Sequence, residues 1–424
     1  MPYRRRRRIN WPYLLARVAI LLFPVLYVAC EIGYQYFYRP RYFGGLGEAI
    51  GSVFDATVIL WGFAVGACLG SFLNVVALRT PRGETIGGGS YCPYCCVPIR
   101  SRDNVPILGW LSLRGRCYAC RLPIPPRYMI IEIIAGVLVG AVVWVQVVDG
   151  GINLPLDGHD ANSPARLVMR WDSLLIGRTL YHVLTLLYLM TAALVVGNRL
   201  LLPMSMIVAG WILTAVPPLL FPQLLIYSWK SESLRGLSGQ DLYLAGVTTV
   251  LAGAATGLLV ARATLMALYP NADPKLSSSH IDTKRAYDWI WQMAWIGVVF
   301  GWQGVLGVGL MWCLLLAFLY PLVRRWDFPL TIPPALLFVA ALVHLLLWNT
   351  LVKVPFWPGG AWGFWGALTG LLGTLILARL LIDSSWQVAF AEPVTVPKNS
   401  SIIVALPSDS SQDETELRTD SDDQ

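Results

Sequence analysis

The sequence predicts an all-α, polytopic membrane protein of about ten transmembrane helices, carrying one small cytosolic loop domain. Three observations carry that prediction. Of the 424 residues 56% are apolar and only 13% are charged, with a mean hydropathy of +0.58. Soluble domains carry about 25% charge. Apolar runs of roughly 20 residues, the length of helix that crosses a bilayer core, recur along the chain. Arginines and lysines collect beside those runs, as the positive-inside rule describes. The net charge of +7 therefore reads as a topology signal directed at the lipid bilayer, not at nucleic acid.

Five arginines at positions 4–8 precede an apolar stretch over residues 11–30, interrupted by Arg17. No small-x-small cleavage site follows, so a retained signal-anchor helix is expected rather than a cleaved signal peptide. With its external linker this first segment covers residues 1–55. A second span over 56–78 leads into an arginine-rich loop, and a third follows over 128–148. The polar stretch 149–172 reads as an external loop. Further spans fall near 176–197, 201–221, 241–268, 289–300, 303–323, 330–350 and 361–382. From residue 383 the composition turns acidic and serine-rich, ending in "PSDSSQDETELRTDSDDQ". Such a segment has too little apolar surface to build a core, so 383–424 is expected as a disordered tail.

Counting crossings from the arginines at 4–8 places both termini and the loop 80–127 in the cytosol. That loop bears Arg79, Arg82, Arg100, Arg102, Arg114, Arg116, Arg121 and Arg127 at or near its ends and within it. Loop 222–240, with Lys230 and Arg235, falls outside and runs against the rule. The organisation expected is thus 1–55, a domain over 56–136 that includes the loop 80–127, a polytopic helical domain over 137–382, and the tail.

Cys92 and Cys95 form one Cys-x-x-Cys pair and Cys117 and Cys120 another. Each pair makes a tight turn that aims two thiolates at one point. Two such knuckles close a tetrahedral zinc site of zinc-ribbon-like type. A loop this small has no core of its own, so the metal would largely fold it. Disulfides are the competing reading, and a cytosolic position disfavours them. Cys96 is a spare thiol beside a ligand position and an alternative to Cys95, which the spacing favours. Cys30, Cys68 and Cys313 lie in apolar spans and read as small packing residues.

The loop and its flanks resemble the N-terminal domain of the bacterial prepilin leader peptidase/N-methyltransferase family. The matching stretches are "GACLGSFLNVVALRTPRG" (66–83), "CPYCCVPI" from residue 92, "DNVPILGWLSLRGRC" followed by x-x-Cys120, and "PIPPRYMIIEIIAG" (123–136). The resemblance implies a cytosolic zinc module tied to methylation of a newly exposed pilin N-terminus with S-adenosylmethionine. It also implies an intramembrane aspartyl endopeptidase of GxGD type, acting on type IV prepilins or type II secretion pseudopilins at the cytosolic face. The partners it implies are those precursors and the bilayer, and the location is the bacterial cytoplasmic membrane. Two adjacent carboxylates are the chemical requirement: one holds a proton as acid while the other activates water.

The sequence departs from the family at those aspartates. "VVGNRLLLPMSMIVAGWILTAV" (195–216) is similar to the segment that carries the first, yet Val196 stands at its position and Met204 replaces a second, nearby aspartate. Asn198 is the polar residue closest by, and an amide is no general base. "YDWIWQMAWIGVVFGWQGVLGVG" (287–309) is similar to the GxGD segment, and Asp288 falls within one residue of the expected carboxylate. Tyr287 replaces the glycine before it and Ile290 the lysine after it. Asp288 is the one candidate catalytic residue. The plainer reading makes it an interfacial residue at the end of a solvated loop. Asp273, Asp282 and Asp383 are carboxylates on the same expected side, each read more readily as a helix cap or a residue meeting water than as a catalytic partner.

Asn74, Arg79, Arg127, Tyr128 and Glu132 sit where spans meet the loop. The resemblance implies that they organise the face for substrate and methyl donor; the alternative is an interfacial Glu–Arg pair with snorkelling arginines. His159, His182, His280 and His344 show no ligand spacing. Two functions are therefore expected in competition. One is a prepilin peptidase-like enzyme that cleaves and N-methylates its precursor. The other is a catalytically degenerate relative, a zinc-containing membrane scaffold or pilin-precursor binding protein.

Overall fold

The computed structural model describes residues 10–38, 46–155, 172–198, 200–226, 240–268, 281–323, 332–360 and 362–381. Among them the chain is all-helical, with two isolated bridges and no strand. The helices are α1 (Trp11–Tyr38), α2 (Leu46–Arg79), the short α3 (Leu108–Ser112), α4 (Arg127–Val143), α5 (Ser173–Gly197), α6 (Met204–Leu220), α7 (Gln240–Leu268), α8 (Ile281–Val323), α9 (Ile332–Val352) and α10 (Phe364–Leu381). Seven are long and apolar enough to cross a membrane, and the apolar helices Met204–Leu220 and Trp365–Leu377 are shorter. Backbone groups in lipid must bond within their own segment, which is why apolar runs become helices here.

Water drives little helix association inside a bilayer, so close packing through small residues takes over. Gly66 and Gly70 of α2 lie against α4. A Cβ on Gly66 would stand 2.5 Å from the Ala135 carbonyl oxygen, and one on Gly70 would stand 2.7 Å from Ala135 Cβ. Gly136 of α4 returns the fit by admitting the Phe63 ring. Helix α4 then closes with a π turn over Trp144–Val148.

The expected spans 289–300 and 303–323 are the two arms of one interrupted helix, α8. Gly301 stands at the break with φ 73° and ψ 175°, a conformation open almost only to glycine. The chain reverses there. Trp289 and Trp312 have ring centroids 4.7 Å apart, whereas a straight helix would separate them by roughly 35 Å. Both arms pack on α7. Trp289 Nε1 donates to Thr264 at one end, and Thr249 approaches Gly301 at the tip. Between these points Gly253 and Gly297 meet backbone to backbone. Gly301→Ala should cost about 1–3 kcal/mol and lower the unfolding midpoint of the purified protein. An unchanged midpoint would mean that the turn does not need this backbone.

The core lies around this hairpin. Trp295, Phe300, Trp312 and Trp348 are fully buried, and Phe300 sits between the rings of His182 and His344. Both histidines are core residues; His182 pairs with Gln146. His159 and His280 lie outside the described residues.

Candidate functional site

The cysteine domain is built from one turn used twice. Cys96 N donates to Cys92 O, and Arg121 N donates to Cys117 O; Cys92 N donates to Val97 O, and Cys117 N to Leu122 O. The bridges Tyr91–Pro98 and Arg116–Pro123 close the two knuckles at matching places. "SYCPYCCVPI" (90–99) and "GRCYACRLPI" (115–124) are thus two copies of one structural unit. Each copy has a residue with positive φ just after its second cysteine, Cys96 at 55° and Arg121 at 63°. This equivalence separates the two adjacent thiols. Cys96 is exposed at the turn position, while Cys95 faces the centre.

The sulfurs of Cys92, Cys95, Cys117 and Cys120 all lie within 4.8 Å of one another. Cys92 and Cys120 are 3.9 Å apart, and Cys95 and Cys117 are 4.0 Å apart. A tetrahedral ion with sulfur ligands at 2.3 Å sets sulfur separations of about 3.8 Å, so these four residues could hold a metal ion. Backbone N–H groups of Cys120 and then Ala119 point at Cys117 Sγ and draw its thiol down to about 6, towards the thiolate that a metal needs. All four are free cysteines.

The knuckles are fastened to the membrane helices by a few bonds. Trp110 Nε1 donates to Ile124 O at 3.0 Å, and its ring covers Gly115, where no Cβ would fit. The Ile107 amide donates to buried Glu132 Oε2 at 2.6 Å, and Ser71 also bonds Glu132. Glu132 therefore ties α3 to α4 and α2 and forms no ion pair with a loop arginine among the described residues. Asn10 Nδ2 reaches Leu111 O at 2.5 Å, so α1 holds the same helix. Arg79 lies over Tyr91, and Arg127 over Tyr128. Asn74 is buried, with its Nδ2 unbonded.

The second candidate centre lies where α8 meets the loop before α6. Asp288 is 5% exposed, and its Oδ2 accepts from the Leu202 amide at 3.1 Å. The fold therefore brings Asp288 against segment 195–204, which the sequence could only align with the family. That segment offers no carboxylate in return. Val196 is buried among core residues, Met204 is exposed, and Asn198 Oδ1 accepts from Arg127 Nη1 at 2.8 Å. Asp273, Asp383 and the side chains of Asp282 and Tyr287 lie outside the described residues. The Arg127–Asn198 bond joins the root of the cysteine domain to the site of Asp288, a link that no motif indicated.

Sequence reading also passed over a carboxylate group at the opposite face. Asp55 of α2 is 2% exposed, with Oδ2 unbonded, near Glu31 and Asp149. Burial, and then Glu31, pushes Asp149 up to about 6. The available signal was an aspartate inside the apolar run "SVFDATVIL".

Residues 64–146 match the family model of the bacterial peptidase A24 N-terminal domain. Over this region the chain is similar to proteins named prepilin leader peptidase/N-methyltransferase. It is 44% identical to that of Myxococcus xanthus over 77 residues, 18% of this chain and 23% of the relative. It is 39% identical to that of Neisseria gonorrhoeae over 105 residues, 19% of this chain and 37% of the relative. It is 45% identical to that of Klebsiella pneumoniae over 89 residues, 19% of this chain and 39% of the relative. The chain thus spans less than half the length of these relatives. No solved structure gives a significant match. The family read from segments 66–83, 92–120 and 123–136 is the one these matches name.

Proposed function

We propose that the protein is a prepilin-peptidase-type membrane protein that binds prepilin- or pseudopilin-like precursors without cutting them, its cytosolic domain held by zinc. The observation that carries this reading is the make-up of segment 195–204, against which Asp288 lies through the Leu202 amide. Among the described residues that segment supplies Val196 and an Asn198 engaged by Arg127 where the resemblance expects a carboxylate. Aspartyl proteolysis needs two carboxylates that share a proton. Zinc is the ion that suits four thiolates at tetrahedral spacing. The expected setting is the bacterial cytoplasmic membrane, with the cysteine domain in the cytosol. S-adenosylmethionine would serve as donor if the N-methylation named for the relatives persists here.

A second reading keeps the peptidase, with Asp288 as one catalytic carboxylate. What favours it is that the fold presses Asp288 onto the very segment the family uses. Co-expression with a prepilin in bacterial membranes separates the two. Under the binding reading the precursor stays full length and co-purifies, and Asp288→Asn changes neither result. Leader cleavage that Asp288→Asn abolishes would overturn binding without cutting and establish the peptidase. A precursor neither retained nor cleaved would dismiss both.

A further inference from the structure

The cysteine domain carries an excess of positive charge. Between Arg79 and Arg127 eight arginines stand against two carboxylates, Glu84 and Asp103, a net charge of +6. Asp103 is taken by Arg100 at 2.6 Å. Arg100, Arg102, Arg114, Arg116 and Arg121 are all exposed on the domain. Residues 409–424 carry seven carboxylates against Arg418, a net charge of −6.

The fold delivers these two segments to one face of the membrane. Asp288 marks the face of the cysteine domain, because it bonds Leu202 in the loop whose Asn198 holds Arg127 at the domain's root. The second arm of α8 returns to that face, since Trp312 lies beside Trp289. Helix α10 runs along this arm in the same direction. Its start packs on Trp357 opposite the deep part of the hairpin, and further on Cys313 Sγ donates to Thr374 O. Helix α10 therefore ends, at Leu381, on the face that carries the arginines. From there residues 382–424 can extend roughly 140 Å at about 3.3 Å per residue.

We propose that the acidic segment 409–424 of this chain docks on the exposed arginines of its own cysteine domain. A covalent tether of this length gives it an effective concentration on the order of 1 mM, whatever the lipid composition. The segment is rich in Ser, Thr and Asp and has little to bury, so charge supplies the attraction and salt weakens it. Anionic headgroups share the chemistry and are the rival occupant.

The test is hydrogen exchange on the full chain in phosphatidylcholine nanodiscs. A variant carrying Asp413→Asn, Glu414→Gln, Glu416→Gln, Asp420→Asn, Asp422→Asn and Asp423→Asn should exchange about threefold faster over residues 100–121. Wild type should reach the same rate in about 0.5 M NaCl. Equal rates in the two proteins at low salt overturn the proposal. Protection that arises only on adding phosphatidylglycerol, in both proteins alike, also overturns it and assigns the face to headgroups.

Discussion

Cys117→Ser should strip the cysteine domain of its metal and unfold it while leaving the membrane helices in place. Cys92 and Cys117 are among the few buried side chains between residues 84 and 124. With so little apolar surface to bury, the domain would depend on an ion held by these thiolates, and structural zinc contributes apparent binding energies of about 10–16 kcal/mol in small domains. Metal analysis of the purified protein should fall from one ion per chain to near none. Hydrogen exchange should accelerate over residues 90–124. Cys96→Ser is the matched control: Cys96 occupies the turn position that Arg121 fills in the second knuckle, so both quantities should hold. Metal content unchanged in Cys117→Ser would remove the four-thiolate centre.

Gly253→Leu should separate α7 from the α8 hairpin. A Cβ at Gly253 would overlap the Gly297 carbonyl, and one at Gly257, a turn away, would overlap that of Met293. These are backbone atoms that no rotamer change can move aside, so the helices must part along their length. Overpacking of this kind costs about 3 kcal/mol or more. At the scale of this chain that lowers the unfolding midpoint by roughly 3–4 °C. Because the first arm of α8 carries Asp288, its bond to Leu202 should loosen as well. Gly87→Leu is the control, since nothing lies within 4 Å of its Cβ position. Equal midpoints for the two variants would refute backbone contact between the helices.

The apolar runs and the two Cys-x-x-Cys pairs were legible in the sequence because each follows from spacing along the chain. A bilayer fixes helix length, and a tetrahedral ion fixes the distance between paired cysteines. The ten expected spans answer to seven long helices, two shorter ones and the second arm of the α8 hairpin. The choice between Cys95 and Cys96 was legible only as a preference. Spacing favoured Cys95, but the deciding fact is a positive φ shared with Arg121, a property of backbone conformation.

By itself the sequence determined that this is a multi-helix membrane protein with a four-cysteine module and a family-like stretch about 70 residues long. Tertiary structure alone decided three other matters. Asp288 lies against the Leu202 amide, Asn198 is committed to Arg127, and the chain reverses at Gly301 so that α10 ends on the same side of the bundle as the cysteine domain. Each joins residues far apart in the chain, or rests on one backbone angle. Local composition carries no record of which distant group a carboxylate, an amide or a glycine will meet.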